Sequence, residues 1–514
     1  MTASEVRLAD LLAAISVATD LGMGQQPEKA IRACLLATEL ARAMGLPDDD
    51  VRDVYLTTLL RHLGCTATAH EETYLFGGDE LASRPIAERT DFGKPAEAIK
   101  MLLSTGRGSG LDRPRHLARA ILGGKKGGER VVLALCEVAS HLAERLALGA
   151  GVATALYQVM ERWDGKGGPD GLKGEDIALP ARVAEVATQA IIFDRLGGPE
   201  AALAVVARRA GGWFDPAVAA AFSTHGAAML SRIAAADAWQ AVLDTEPEPV
   251  RTIGPMKLDH ALRTFADMVD LKSPYTIGHS SGVAEIAERA ARSIGMSDAD
   301  ATGVRRAALL HDLGRTGVSN AIWDKPGPLS TSEWESVRLH AYHTERIASR
   351  SSTLAPLGLI AGMHHERQDG SGYHRGASGA QIPVAAKILA AADAFQAMTQ
   401  ERPHRPARSG AEVARLLEAD ASFDADCARA VIAAAGQSVA VRPARPAGLS
   451  EREIDVVRLL ARGLSNREIA ARLFISPRTA EHHVQHIYTK IGAATRASAA
   501  LFAMEHDLMG PGAK

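Results

Sequence analysis

The chain reads as an all-α protein: two tandem helical bundles followed by a small tetra-helical unit. Three observations lead to that reading. Its 514 residues exceed what one ordinary core holds and point to about three domains. Aromatic residues are only 4% and the apolar content is heavy in Ala and Leu, a composition that favours helices over strands. The chain also repeats itself. Glu161–Thr188 (ERWDGKGGPDGLKGEDIALPARVAEVAT) aligns without a gap with Glu366–Asp393 (ERQDGSGYHRGASGAQIPVAAKILAAAD) at an offset of 205, and LLRHLG at Leu59–Gly64 aligns with LLHDLG at Leu309–Gly314 at an offset of 250. The difference of 45 is an insertion in the first copy, between Leu63 and Cys136, that holds the Gly-rich pieces GRGSG and GGKKGG.

The expected units are residues 1–248, 249–436, a linker at 437–448, and 449–514. The first ends where EPEP interrupts at Glu246–Pro249. In the second, Val283, Ile286, Ala287, Ala290 and Ile294 recur at helical spacing. Pro and Gly mark loops at Lys325–Leu329 and Gly370–Gly379. The prolines of Val441–Gly448 favour an extended, semi-rigid connection.

Composition excludes several classes. Lys plus Arg is 58 against 61 Asp plus Glu, a net charge of −3, which rules out a wholesale basic coat but not a small DNA-reading module. A hydrophobic share of 46% is too high for a disordered chain. Cys34, Cys65, Cys136 and Cys427 lie far apart with no CxxC pair, so neither a disulfide framework nor a Cys-zinc site is indicated. No GxxxxGK[ST] occurs, so a P-loop is unsupported. Without an eighteen-residue apolar run or a basic-then-apolar leader, the expectation is a cytoplasmic protein with no membrane contact.

In the second copy five features stand in order: His279, the pair His311–Asp312, His340, the pair His364–His365, and Asp393. Imidazole and carboxylate suit Fe, Mn, Zn or Ni. Seven such side chains exceed the needs of one ion, and two ions sharing a bridging Asp suit them better. Two ions about 3.5–4 Å apart clamp the attacking and leaving oxygens of an in-line displacement at phosphorus and lower the pKa of water. The stretches YTIGHS, ALLHDLGRTGV, DKPGPLS, HHERQDGSGYH and ERPHR, within roughly Asp267–Arg405, resemble the HD-GYP branch of the HD metal-dependent phosphohydrolases. The resemblance implies an HD-type helical bundle and two divalent ions (Fe, Mn or similar) held by all seven side chains. It also implies hydrolysis of a cyclic dinucleotide such as cyclic di-GMP.

Three departures from the family pattern bear on the chemistry. Arg315 stands where the family has Lys; arginine stabilises negative charge but effectively never gives up a proton. The family's GYP is Gly372, Tyr373, His374. Tyr275 stands four residues before His279, near where trimetallic members carry Glu, which implies two ions rather than three. Asp312 and Arg315 are the catalytic candidates. Lys387, Arg402 and Arg405 are expected to bind substrate phosphates, with Lys325 as a further candidate. Gly370, Gly372 and Tyr373 would let a ligand approach the loop closely. His343 and His374 match no ligand position.

At the aligned positions of the first copy stand Lys29, Arg61, His62, Leu135, Val159, Met160 and Thr188. Two cations and three apolar groups cannot hold a dication. The first copy is therefore expected to lack metal chemistry; binding a ligand, packing, dimerising or a purely structural role stay open.

From Leu449, apolar positions at Ile454, Val457 and Leu460, at Ile469 and Leu473, and at Val484, Ile487 and Ile491 define three helices. Ser465 is placed to cap the second, and Ser476 with Pro477 to start the third. With Ser450–Glu453, GLSNREIA, the S-x-x-T at Ser476–Thr479 and the closing KIG, this region resembles the LuxR-type helix-turn-helix. The resemblance implies a third helix in the major groove of double-stranded promoter DNA, with Arg478, Thr479, His483 and Lys490 on the backbone and Glu481, His482 and Gln485 facing bases. Relatives often carry Lys at the positions of Glu481 and Gln485. Nine basic and seven acidic residues leave Leu449–Lys514 at +2, so affinity is expected to need a homodimer, formed through Thr495–His506. The combined expectation is a regulator whose metal-dependent half cleaves a cyclic dinucleotide. The alternatives are a half that only binds the nucleotide, or one that acts on another phosphoester.

Overall fold

The computed structural model describes residues 5–76, 78–105, 112–436 and 445–509. The GRGSG segment and residues 437–444 of the expected linker lie outside the described residues. The chain divides into two units, Met1–Leu258 and Asp259–Lys514. The first unit extends past the expected break at 248 because Thr252–Ile253 pairs antiparallel with Val6–Arg7. The other regular elements of the described residues are helices, and no helix among them is long and apolar enough to cross a membrane.

The repeat is a repeat of structure. Helices Lys29–Ala43 and Asp48–Leu59 begin 250 residues before His279–Ser293 and Asp298–Leu310, and Leu179–Arg209 begins 205 residues before Val384–Thr399. The devices that start these helices are duplicated too. Asp20 accepts from the backbone N–H of Ala30 at 3.0 Å, and Asp270 accepts from that of Ser280 at 2.9 Å. Each carboxylate satisfies an orphan donor at the start of a helix whose own cap residue, Glu28 or Gly278, lacks a capping side chain and sits in the left-handed region. Small residues dominate the buried faces of two packed helices, Ala284, Ala287, Ala290 and Ala291 on His279–Ser293 and Ala390, Ala391 and Ala392 on Val384–Thr399, which lets helix axes approach closely.

In the second unit the C-terminal region forms four helices, Glu451–Ala461, Asn466–Leu473, Pro477–Ile491 and Arg496–Glu505. Ser450 and Ser465 close reciprocal capping boxes with Glu453 and Glu468, and Ser476 accepts from Thr479 N–H with Pro477 in the first turn. This region rests on the bundle before it. Arg263 donates to the Met504 carbonyl at 3.0 Å and to the Asp507 carboxylate.

Candidate functional site

The helix His279–Ser293, the end of Asp298–Leu310, the helix Thr331–Ala348, the end of Ala355–Ala361 and the helix Val384–Thr399 bring the seven expected side chains of the second copy together. His279, His311, Asp312, His340 and His364 are buried to 3% exposure or less, and Asp393 to 7%. Only His365 keeps appreciable solvent access at its side chain.

The imidazoles are oriented by what their far nitrogens do. Nδ1 of His311 donates to the Ala308 carbonyl at 2.7 Å, that of His364 to the Ala361 carbonyl at 2.6 Å, and that of His340 to the Val337 carbonyl at 2.5 Å. His279 Nδ1 meets the Gln400 amide oxygen at 3.0 Å. Each donation leaves Nε2 as a bare lone pair aimed inward. His340 Nε2 and His364 Nε2 stand 3.0 Å apart, and His311 Nε2 is buried with no hydrogen bond. Lone pairs facing one another in a dry interior repel unless a cation lies among them. The donor set therefore fits a metal on its own chemistry.

The Asp312 carboxylate sits in the middle. Its Oδ1 faces His340 and His364 at 3.6 and 3.9 Å, and its Oδ2 faces His311 and His279 at 3.5 and 3.9 Å. Asp393 Oδ1 lies 3.1 Å from His279 Nε2, and its Oδ2 lies 4.0 Å from His365. Burial works against ionising Asp312, but the guanidinium of Arg315 holds it well below the carboxylate range. Burial lowers His340 to about 4 and His364 to about 3, so both imidazoles are neutral, the ligating form, at pH 7.

Positive charge lines one side. Arg315 lies 3.2 Å from Asp312 and stacks on the Trp323 ring with its centre 3.9 Å away. Arg402 donates to the Tyr275 carbonyl and, at 3.2 Å, to Gln400; burial and the neighbouring Arg315 lower it to about 10, so it stays a cation at neutral pH. The Tyr373 ring lies along His365, with centroids 4.6 Å apart.

Other expected phosphate binders have other partners. Lys387 donates to Asp424 at 3.2 Å and Lys325 to Glu333 at 2.7 Å. Arg405 donates to the Ala397 carbonyl at 2.7 Å and to the Met398 carbonyl at 3.2 Å, closing the end of the helix Val384–Thr399. The glycines of the loop serve the chain itself. A Cβ on Gly372 would stand 2.4 Å from the His365 carbonyl, and one on its first-copy counterpart Gly167 would stand 2.4 Å from Arg162 N. Gly370 and Gly165 both have left-handed φ, 77° and 75°. The loop folds onto its own backbone in both copies, whether or not the ligand set is present. His374 lies 3.3 Å from Glu345, away from the seven.

The first copy fills its centre with ion pairs. Lys29, buried to 1%, donates to Glu88 at 2.7 Å and contacts His62 at 2.8 Å. Arg61 pairs with Glu185 and donates to the Val159 carbonyl at 2.8 Å. Glu88, held well below its usual range against burial by Lys29 and His62, comes from the inserted segment, on the helix Glu80–Arg89. That helix end is bound by Gln189 and Arg209, which donate to the Glu88 and Arg89 carbonyls at 2.7 Å each.

On the third helix of the C-terminal region, Arg478, Thr479, Glu481, His482 and Gln485 are exposed, as is His486, which the motif reading passed over; His483 is half-buried. Lys490 is committed to Glu453 at 2.7 Å. Gln400, Trp323 and Glu88 were also silent in the sequence. His486 could have been found from its i+4 spacing to His482; the other three carry no local signal.

The architecture is that of a helical phosphohydrolase with a dense His/Asp centre, joined to a helix-turn-helix. The HD domain family matches residues 131–218 and 263–427, and the bacterial regulatory protein luxR family matches 447–503. The chain is 32% identical over 426 residues to the 3′3′-cGAMP-specific phosphodiesterase 3 of Vibrio cholerae serotype O1, covering 82% of this chain and 93% of that one. It is 41% identical over 142 residues to a cyclic di-GMP phosphodiesterase of Thermotoga maritima, 27% of this chain and 39% of the relative. The crystal structure of a cyclic GMP-AMP-specific phosphodiesterase of V. cholerae superposes with a TM-score of 0.60 at 30% identity, over 85% of this chain and 99% of that one. The chain belongs to the HD-GYP family of metal-dependent cyclic-dinucleotide phosphodiesterases and carries a LuxR-type DNA-binding domain.

Proposed function

We propose that the second copy hydrolyses a 3′3′-cyclic dinucleotide with two divalent ions, Fe or Mn, that Asp312 and the six side chains around it would hold. On this reading, the chain acts in the cytoplasm as a homodimeric regulator of promoter DNA. One observation carries the reading: the bare Nε2 atoms of four buried imidazoles face opposite oxygens of a single carboxylate. His279, His311 and Asp393 would serve one ion, and His340, His364 and His365 the other. Bound there, the ions supply charge that lowers the pKa of water and steadies the oxygens of an in-line displacement at phosphorus.

The chain's own residues do the remaining work. The neutral imidazoles and the ionised Asp312 would hold the ions. Arg315, fixed by Asp312 and Trp323, and Arg402 present charge to non-bridging phosphate oxygens. Arg315 stays protonated throughout, so the leaving oxygen takes its proton from solvent. The preferred substrate is 3′3′-cGAMP, because the relative matched over 93% of its length carries that specificity in its name; cyclic di-GMP is the second choice, from the T. maritima match. Arg315 also favours a second reading, in which the same centre binds the dinucleotide without cleaving it.

Metal analysis of the purified full chain, followed by incubation of the Mn- and Fe-loaded protein with each dinucleotide, tests the proposal. Linear product from 3′3′-cGAMP at two ions per chain is expected. Saturable binding with no product would leave the sensor reading, and neither metal nor binding would reject both.

A further inference from the structure

We propose that Gln400 is a positioning residue that orients a metal-facing histidine and a phosphate-facing arginine through one amide oxygen. The geometry leaves little freedom. Arg402 can only donate, so the Gln400 atom 3.2 Å from its guanidinium is the oxygen. The same oxygen lies 3.0 Å from His279 Nδ1, so that nitrogen carries the hydrogen and Nε2 is the bare one. His279 Nε2 then faces Asp393 Oδ1 at 3.1 Å, lone pair against carboxylate, an arrangement that calls for a cation between them. The other three buried imidazoles take their tautomer from the carbonyl three residues earlier on their own chain segment. His279 alone of the four takes it from a distant side chain; the carbonyl three residues before it, that of Thr276, accepts from the His279 backbone N–H at 2.9 Å.

The first copy shows that the fold does not need this residue. At the same offset of 205, Arg195 and Gly197 replace Gln400 and Arg402, and Lys29, which has no tautomer to set, replaces His279. The helix of the first copy runs through Arg195 and breaks at Gly197–Gly198, with none of the three residues present. Gln400, His279 and Arg402 stand together in the second copy, and none of the three stands at the aligned position of the first.

This inference rests on the metal-site reading, and the test separates them. Wild-type chain, Gln400→Leu, Gln400→Asn and Gln400→Glu are stripped of metal and titrated with Mn²⁺ against a chromophoric chelator; KM and kcat are then measured with the dinucleotide. Outer-shell partners of ligating histidines are worth about 10–100-fold in metal affinity, so Gln400→Leu is expected to lose about that much and to raise KM more than it lowers kcat. Gln400→Asn withdraws the amide by one methylene and is the gentler variant should the Leu form fold poorly; it is expected to lose affinity in the same direction. Gln400→Glu keeps an acceptor oxygen and is expected to recover metal affinity. Unchanged Mn²⁺ affinity in both Leu and Asn variants, with the wild type binding normally, overturns the role of Gln400 alone. No Mn²⁺ binding by the wild type overturns the metal reading and this inference with it.

Discussion

The two bundles share helix starts, trans-acting Asp caps and a self-folded glycine loop, yet their centres solve the same electrostatic problem in opposite ways. In the second copy the fold gathers four inward lone pairs and two carboxylates, an excess of electron density that a bound cation relieves. In the first, Lys29 and Arg61 bring the positive charge covalently, and Glu88 and Glu185 balance it. Removing ligands alone would have left a dry centre unfilled; the inserted segment adds the acid that makes a buried lysine tolerable. A degenerate site is thus a different, closed structure rather than an empty version of its twin.

The sharpest way to break that contrast is to strike the same position twice. Asp312→Ala is expected to lower turnover on the order of 10³-fold or more, about 4 kcal/mol of barrier, and to abolish stoichiometric metal binding, whereas His62→Ala at the aligned position leaves both intact. Equal losses in a hydrolysis assay would show that the first copy takes part in the chemistry.

Next in size, Glu88→Gln strands the buried Lys29 and is expected to destabilise the first unit by about 3–5 kcal/mol, while metal affinity of the second stays unchanged. Urea unfolding followed by segment-resolved proteolysis reads this; a loss below 1 kcal/mol would mean the pair is solvated.

Acid separates the copies more gently. Burial holds His340 at about 4 and His364 at about 3 when folded, and His62 at about 4, against 6.5 for the free side chain. Unfolded chains therefore bind more protons from about pH 6.5 down to 4, and stability falls as pH falls through that window, by roughly 1–3 kcal/mol per imidazole. With His279 and His365 also depressed by burial, the metal-free second copy carries more of this penalty than the first. It should become protease-sensitive first between pH 6.5 and 5, and saturating Mn²⁺ should protect it. Identical sensitivity in both copies would contradict the assignment.

The smallest effects fall on the DNA reader. Glu481→Lys, on the exposed face of the third helix, is expected to tighten promoter binding a few-fold and steepen its salt dependence by about one ion. Lys490→Ala, whose ammonium is held by Glu453, should change affinity less than twofold; fluorescence anisotropy across a salt series measures both.

Much of this was legible residue by residue. The capping serines Ser450, Ser465 and Ser476 specify helix starts within four residues of themselves. The seven His and Asp positions stand out because few other needs place such groups in an Ala-rich helical background. The glycines were legible as glycines but not for their reason: Gly372 makes room for the His365 carbonyl, as Gly167 does for Arg162 in a copy without the ligand set. Lys387, Arg405 and Lys490 looked like free cations because a sequence does not show that Asp424, the carbonyls of Ala397 and Met398, and Glu453 lie beside them.

Alone, the sequence determined what acts over a turn or two of helix: the all-α character, the duplication, the order of donor side chains and the helix-turn-helix. Tertiary structure decided who faces whom. Glu88 meets Lys29 across 59 residues, and Gln400 meets His279 across 121. Such pairings arise because burial makes an unpartnered charge or lone pair expensive, and the partner that satisfies it is whichever group the packed helices bring within reach.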